Sequence, residues 1–470
     1  MPERVIVVGG GVGGLATALA LGRNGHPVTL LERDALPAVA SADEAFAAER
    51  RGAPQAHQTH GFLARIVVVL RERFPDVLDD LRAAGGFTLP GAGNLGEPRT
   101  GDEDLAVLIV RRTTFEWVLR RAVLAEPGVE VRTGTTVQGL VAGADGRTVI
   151  GVELDDGSVL EADAVVVATG RRGAVPAWLG RLGIEVPETV RESGLMYLTR
   201  WYRLPDDFDL GPDPKLGGDL GFVKFLAVPG DGGTLSVTLA VRSDDSELRS
   251  VLSAGDGFDL ACQLLPGPDR FFRDGPLDPV GPVRPMGGLL NRVRRFTDDD
   301  GRATVLGCHV VGDAHTCTNP LYGRGCSLAV VQAVLLADAF GAHPDDPAAR
   351  AAAYEAACAR QVEPWFAVSV QMDALGADPA GFAAGGAPES EQGRAFGAVI
   401  VAAASDPVIG RGMARFWNLL ATPTELMGDA ELITRMAEVM AEPDAWPAPP
   451  REGPKRQALL EALGAREPAA

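Results

Sequence analysis

One segment near the N-terminus restricts the fold of this chain more than any other. Val5–Val8 is a short β-branched run, and Gly9–Gly14 supplies a G-x-G-x-x-G pattern followed by apolar residues at helical spacing. A second apolar run, Val28–Leu31, ends in Glu32. Strand, glycine turn, helix, strand and terminal acid within about thirty residues predict a βαβ unit that binds a dinucleotide.

Each glycine in this pattern has an expected role. Gly9 makes the tight turn, Gly11 lets the backbone approach a diphosphate, and Gly14 lets the helix pack against the strand. The helix N-terminus offers unpaired N–H groups and a positive dipole end, and Glu32 is placed to accept hydrogen bonds from a ribose. The motif begins at Gly9 and has no second copy, which favours FAD over NAD as the resident dinucleotide. We therefore predict contacts from Gly9, Gly11, Val12, Gly13, Gly14, Glu32 and Arg33.

A second glycine-rich element lies some three hundred residues further on. Val310 and Val311 end an apolar run, Gly312-Asp313-Ala314 follows, and a loop with Pro320 precedes a long apolar helix. Asp313 is expected to accept hydrogen bonds from ribityl hydroxyls. Amides of the loop and the helix N-terminus would place positive character where a reduced flavin carries negative charge. The predicted contacts in this element are Gly312, Asp313, Pro320, Gly323 and Gly325.

These residues resemble FAD-dependent monooxygenases of the p-hydroxybenzoate hydroxylase fold, and among them actinobacterial natural-product flavoenzymes of the polyketide and polyether epoxidase-like branch. That family's second fingerprint is Gly-Asp-Ala, a Pro, then Gly-x-Gly, as in residues 312–325 here. Four further stretches resemble the branch: Gly52–His60, Arg112–Trp117, Asp163–Arg171 and Ser193–Arg200.

The resemblance implies an α/β protein with a Rossmann-like FAD-binding domain, an inserted antiparallel substrate sheet and C-terminal helices. The first part of the FAD domain is expected at 1–190 with an inserted segment at 45–106, and the second part at 281–345. The substrate sheet is expected at 191–280 and the helical region at 346–470. Apolar runs between 129 and 160 predict an antiparallel meander, and 348–370 predicts one helix.

The resemblance also implies site residues and a reaction. Arg112 is expected on phosphate or ribityl oxygens, Val137 is assigned to the FAD site, and His60, Tyr322 and Arg324 are the candidate catalytic residues. His315 is either a flavin-edge contact or plain helix-entry packing. The implied reaction is epoxidation or hydroxylation of an apolar natural-product intermediate through a flavin C4a-hydroperoxide. NAD(P)H is the expected electron donor, with a separate flavin reductase as an alternative.

Three other activities compete with this reading. One is an FAD-containing dehydrogenase or non-redox cyclase of a biosynthetic pathway. A flavin halogenase is disfavoured because the W-x-W-x-I-P motif is absent and no lysine lies between Glu32 and Lys215. A non-catalytic binding protein is disfavoured by two flavin-contact motifs.

Composition narrows the partners and the location. The net charge is −19, which argues against nucleic acid, because phosphate contacts require a basic face. The five cysteines show no zinc-ligand spacing, so no metal site is predicted. Their odd and sparse number fits a reducing compartment. No signal peptide or uninterrupted apolar run of about 20 residues is evident, so we expect a cytoplasmic protein without stable membrane insertion.

Overall fold

The computed structural model describes residues 2–36, 38–91, 95–211, 216–376, 391–447 and 452–464. A five-stranded parallel sheet forms its centre, in the order β18-β9-β1-β2-β5. The run Val5–Val8 is fully buried as the middle strand, as its β-branched apolar composition requires. Its strands are β1 (Val5–Val8), β2 (Val28–Glu32), β5 (Val129–Thr133), β9 (Ala164–Val167) and β18 (Cys308–Val310).

The parallel sheet is covered by helices on one side and by a meander on the other. Helices α1 (Val12–Arg23) and α9 (Arg324–Ala342) pack together over the sheet and carry much of the main apolar core. The expected meander is three-stranded: β6 (Val137–Ala142), β7 (Val149–Leu154) and β8 (Val159–Glu161). The preceding run at 129–133 is instead the edge of the parallel sheet, since it pairs with β2.

The segment between β2 and β5 carries an added layer. It contains α2 (Ala42–Ala47), α3 (Ala64–Arg73), α4 (Pro75–Ala83) and α5 (Arg112–Ala125), with the hairpin strands β3 (Phe87–Pro90) and β4 (Ala106–Ile109). Helix α6 (Val175–Arg181) follows β9.

A separate antiparallel sheet contains the region predicted to bind substrate. Its path is β12 (Gly217–Asp219), β13 (Val223–Gly230), β14 (Thr234–Arg242), β11 (Leu195–Arg203) and β15 (Asp278–Pro279), with β16 (Arg284–Met286) also on β11. One face is covered by α7 (Ser246–Ser253), α8 (Gly255–Leu264) and α16 (Arg456–Ala462). A small third sheet consists of β10 (Glu188–Glu192), β17 (Leu290–Arg294) and β19 (Thr316–Cys317), and its strands β10 and β17 flank the substrate sheet in sequence.

The C-terminal region is helical, as expected. It contains α10 (Pro347–Gln361), α11 (Pro364–Gly376), α12 (Glu391–Ala402), α13 (Pro407–Trp417), α14 (Pro423–Gly428) and α15 (Ala430–Ala441). The single helix predicted for 348–370 is broken after Gln361, because Pro364 lacks an N–H and disfavours helical backbone at the residue before it.

Among the residues that the structure describes, one unbroken helix meets the length and composition of a membrane span. It is α9, and 72% of its most apolar window is buried inside the protein. Its apolar surface packs against α1 and α10, so its hydropathy is accounted for by its central position in the core.

Candidate functional site

The glycines of the first motif adopt the geometry that the sequence predicts. Gly9 has φ +110°, and a Cβ there would stand 2.5 Å from the Ala168 carbonyl oxygen. A Cβ on Gly14 would stand 1.8 Å from the Gly9 carbonyl oxygen, so helix and strand touch at this point. A Cβ on Gly11 would meet nothing within 4 Å, so the space before the helix N-terminus is open. Two glycines are thus required by the protein itself, whereas Gly11 faces free volume.

The two motifs meet in space. A Cβ added to Gly13 would lie 3.4 Å from Ala329 Cβ on α9 and 3.9 Å from Gly312 Cα. A Cβ on Gly325 would lie 3.6 Å from Asp313 Oδ1. Val12 is buried in the main core at the start of α1. The segments predicted to hold the two halves of one dinucleotide therefore adjoin, as that prediction requires.

Glu32 ends β2 with its carboxylate almost fully buried. Oε2 accepts the Gly10 N–H (2.7 Å) and Oε1 accepts the Asp34 N–H (2.8 Å). The third hydrogen bond to this carboxylate comes from Arg50 Nη2, which also donates to Oε2 (3.1 Å). A ribose hydroxyl would therefore use the remaining acceptor site or replace Arg50. Arg33, next along, is exposed, and Val137 is buried at the start of the meander.

Four side chains form a buried row that we call the charged strip: Glu32, Arg50, Glu116 and Arg112. Arg50 Nη1 donates to Glu116 Oε2 (2.5 Å), and Arg112 Nε donates to Glu116 Oε1 (2.9 Å). Burial by itself would raise the pKa of Glu116, but the two arginines outweigh it and the net pKa is lowered. The strip therefore alternates in charge from Glu32 at the end of β2 to Arg112 at the start of α5.

Arg112 connects the charged strip to the second motif. Its Nη1 lies 3.3 Å from His60 Nε2 and 3.6 Å from Cys326 Sγ in the first turns of α9. Asp313 feels the positive charges of Arg112, Arg171 and Arg292, although burial still raises its pKa. The strip thus runs from Glu32 of the first motif toward Asp313 of the second, the two acids predicted to bind ribose and ribityl hydroxyls.

His60 is held neutral beside Arg112. Its Nδ1–H donates to the Gln58 carbonyl (2.9 Å), which leaves Nε2 as the acceptor for Arg112. Burial and the Arg112 charge lower its pKa to about 3. His60 therefore contacts the predicted diphosphate-binding arginine as an acceptor at neutral pH.

The loop of the second motif turns its side chains away from α1. Gly323 has φ +66° at the start of α9, and Pro320 is exposed. Tyr322 Oη donates to Asp373 Oδ1 (2.8 Å) on α11. Arg324 is fully buried, donates to Ser369 Oγ (2.8 Å), and stacks on Tyr322, Trp365 and Trp417.

These contacts place Arg324 among the C-terminal helices. Burial lowers its pKa to about 10, so it remains a cation at neutral pH. The aromatic rings stabilise that cation by cation–π attraction. Of the three candidate catalytic residues, the structure brings only His60 into contact with the charged strip.

His315 is packed inside the protein. Its Nδ1 lies 2.8 Å from Thr316 Oγ1 and its Nε2 lies 3.2 Å from Glu355 Oε2 on α10. Of the two alternatives left open by the sequence, these contacts match helix-entry packing.

Three site residues escaped the sequence reasoning. Arg50 lies in an irregular segment with no pattern of its own, and Asp373 lies in the C-terminal helices. Glu116 carried a usable signal, because acid and base four residues apart on a helix form an ion pair, as Arg112 and Glu116 do here.

The substrate sheet is fixed to the FAD-binding part by a second arginine. Asp231, in the turn between β13 and β14, accepts bonds from Arg111 N–H (2.6 Å), Nε (2.9 Å) and Nη2 (2.7 Å). Thr114 Oγ1 adds a fourth donor (2.7 Å). Both ionic side chains are about 1% exposed or less. Arg111 and Arg112 are successive residues, and they serve the substrate sheet and the charged strip respectively.

The face of the substrate sheet opposite α7, α8 and α16 packs against the second motif. Leu195, Tyr197 and Ala240 form an apolar cluster with Leu289, and Met286 and Leu321 pack against it. Tyr197 Oη donates to Asn319 Oδ1 (2.8 Å) in the loop. These residues form an apolar wall that borders the loop predicted to hold the flavin, whereas Thr199 and Thr238 on the same face hydrogen-bond to Gln58 and Thr59.

The donor set of this region fits FAD. The Gly11 position is open, and α1 directs its unpaired N–H groups there. The Thr113 hydroxyl and Arg50 Nε are buried without a hydrogen-bond partner. Such groups are expected where a ligand's phosphate or ribose oxygens complete the hydrogen bonding. A cleft borders Gly10, Arg50, Thr113 and Glu116.

Comparisons with known proteins agree with this geometry. A family model for FAD dependent oxidoreductases matches residues 4–48, and one for pyridine nucleotide-disulphide oxidoreductases matches residues 113–191. Protein Rv3254 of Mycobacterium tuberculosis is 28% identical over 365 residues, which is 70% of this chain and 71% of that protein. Aklavinone 12-hydroxylase DnrF of Streptomyces peucetius subsp. caesius is 31% identical over 193 residues, 37% of each chain.

Solved structures share the fold at low identity. The p-nitrophenol 4-monooxygenase PnpA of Pseudomonas putida aligns with a TM-score of 0.62 at 19% identity, over 89% of this chain and 98% of that one. The flavin-dependent brominase Bmp2 aligns at 0.63 and 16%, over 95% and 100%. The Diels-Alderase PyrE3 of pyrroindomycin biosynthesis aligns at 0.61 and 17%, over 88% and 80%.

The class follows from these findings together. The matching family models and the glycine geometry indicate an FAD-dependent oxidoreductase. The expected α/β architecture, with its parallel sheet and antiparallel sheets, is confirmed.

Proposed function

We propose that this enzyme is a flavin monooxygenase that hydroxylates or epoxidises an apolar natural-product intermediate, with NAD(P)H as electron donor. The observation that supports it most is the placement of the apolar wall around Tyr197, Ala240 and Met286 against the loop of the second motif. FAD, when bound, supplies the redox and oxygen chemistry. Similarity to a hydroxylase of Streptomyces and the monooxygenase-type fold add support.

The protein's own residues would bind, orient and keep the site dry. Amides at Gly11–Gly14 and the Arg112 guanidinium would neutralise the diphosphate, which must be held against a net charge of −19. Asp313 would accept hydrogen bonds from the ribityl chain. The apolar wall would exclude water from the reacting edge, which protects a reactive intermediate from side reactions.

The experiment measures NAD(P)H and oxygen consumption by the yellow, FAD-loaded protein with candidate polycyclic aromatic or polyene substrates. Consumption of both in a 1:1 ratio with oxygenated product supports the proposal. Substrate conversion without consumption of either would contradict it and indicate the cyclase alternative. If all the oxygen consumed is converted to hydrogen peroxide and the product is a desaturated form of the substrate, the result would indicate the dehydrogenase. Electron transfer that occurs only when a flavin reductase is added would identify that enzyme as the electron source.

A further inference from the structure

A buried polar cluster joins the C-terminal helices to the second motif. The Asp373 cluster comprises Tyr197, Asn291, Asn319, Tyr322 and Asp373. Asp373 Oδ1 accepts bonds from Tyr322 Oη (2.8 Å) and Asn319 Nδ2 (2.8 Å), and Oδ2 accepts one from Asn291 Nδ2 (2.6 Å). One carboxylate on α11 therefore receives three donors from two segments: Asn291 on β17, and Asn319 and Tyr322 in the loop before α9.

Asn319 passes this constraint to the substrate sheet. Its side-chain oxygen accepts bonds from Tyr197 Oη (2.8 Å) and from the Leu321 N–H (3.2 Å), and its own N–H donates to Asn291 Oδ1 (2.7 Å). Asn319 and Asn291 are about 1% exposed or less, so these groups have no water to replace a lost partner. The loop between Asn319 and Gly325 is thereby fixed at both its amide and its side chains.

The charge of Asp373 is matched to this arrangement. Three donors converge on it, and an ionised carboxylate is the one side-chain group that accepts all three without offering a competing proton. The Arg324 guanidinium nearby and the donors favour the ionised form, although burial raises the pKa of Asp373. A charge at this partly buried position costs desolvation free energy, and the hydrogen bonds that fix the loop would offset that cost.

We propose that Asp373 is a positioning residue for the flavin: it holds the Gly323–Gly325 amides in place at the N-terminus of α9 and couples them to Tyr197 on the substrate sheet. The inference rests on the FAD-binding role of this loop and extends it to the C-terminal helices. Loosening the loop would weaken FAD binding and reduce the positive character near the flavin ring.

The test compares Asp373→Ala, Asp373→Asn and Tyr322→Phe with wild type by flavin fluorescence titration and by flavin reduction potential. We expect FAD Kd to rise at least about tenfold in Asp373→Ala, since bonds to a charged acceptor are lost, and the potential to become more negative. The FAD Kd of Asp373→Asn should lie between those of wild type and Asp373→Ala. The new amide keeps one acceptor oxygen but places its N–H donors opposite the donor group of Asn291. Tyr322→Phe keeps the ring under Arg324 and should show a smaller rise.

The matched control is Val368→Ala on the same helix, which packs against the main core and has no polar side-chain atom. It should lower the thermal midpoint without changing FAD Kd or potential. Wild-type Kd and potential in Asp373→Asn and Tyr322→Phe would overturn the inference, even if Asp373→Ala failed to fold. Failure of wild type itself to bind FAD would instead remove the basis of the oxidoreductase assignment.

Discussion

The two ends of the predicted FAD site are built in different ways. At the first motif, backbone contacts between neighbours in one βαβ unit set the geometry, and Gly9 and Gly14 leave no room for a side chain. At the second motif, side chains from distant segments fix the loop, with Asp373 some fifty residues beyond Tyr322. The first end is therefore specified by local contacts and the second by tertiary contacts. Substitutions at the two ends should affect folding and FAD binding differently.

The largest effect is expected at the first end. Gly14→Val should prevent folding, because its Cβ would overlap the Gly9 carbonyl oxygen and the backbone would have to move. Gly11→Val should fold as well as FAD-free wild type, since its Cβ meets nothing within 4 Å and φ −85° suits a β-branched residue. Its FAD affinity should nevertheless fall by more than about 100-fold. Circular dichroism and flavin titration separate the two outcomes, and a yellow Gly11→Val protein would show that the diphosphate lies elsewhere.

At the second end, Asp313→Ala should weaken FAD binding by about 10–100-fold, because it removes the carboxylate predicted to accept hydrogen bonds from the ribityl hydroxyls. The fold should survive, since the three surrounding arginines have other hydrogen-bond partners, such as Glu116 for Arg112 and the Arg171 carbonyl for Arg292. Asp338→Ala, an exposed aspartate on α9, is the control and should leave titration unchanged. Equal FAD affinity in both variants would remove Asp313 from the site.

The charged strip links the two ends and should make stability pH-dependent. The pKa of Glu116 is lowered below its ordinary value of 4.5, so its stabilising contribution is present above that value and is lost as pH falls through the lowered pKa. The stability gap between wild type and Glu116→Gln should be about 1–3 kcal/mol at pH 7 and should narrow below pH 4.5. Glu130→Gln, at an exposed ion pair, should show a gap below about 1 kcal/mol. Urea unfolding at several pH values measures both, and a gap that widens on acidification would contradict the expected sign.

The smallest effect concerns His60. With a pKa of about 3 it stays neutral between pH 5 and 8, so the pH profile of FAD affinity should lack an inflection near the ordinary histidine value of 6.5. His60→Gln, which keeps an acceptor for Arg112, should bind FAD nearly as wild type does. An inflection near 6.5 that disappears in His60→Gln would show that the histidine becomes charged in the site.

Sequence predicted the first end better than the second for a physical reason. The roles of Gly9 and Gly14 follow from contacts within one short unit, so a local pattern carries them. Tyr322 was placed by its neighbours in the loop. Its partner Asp373 lies on a helix, Pro364–Gly376, whose sequence pattern predicts a helix but no contact with the loop. Arg50 pairs with Glu116, 66 residues away, and nothing local records that pairing.

The consecutive arginines at the start of α5 have a mechanical consequence. Arg111 is bound to the β13–β14 turn through Asp231, and Arg112 is bound into the charged strip. A buried pair of this kind resists separation, because either partner left alone is an unpaired charge in the interior. Any movement of the substrate sheet relative to the dinucleotide domain would therefore turn about this point. The ends of β13 and β14 away from the turn would then travel further than the ends beside Arg111.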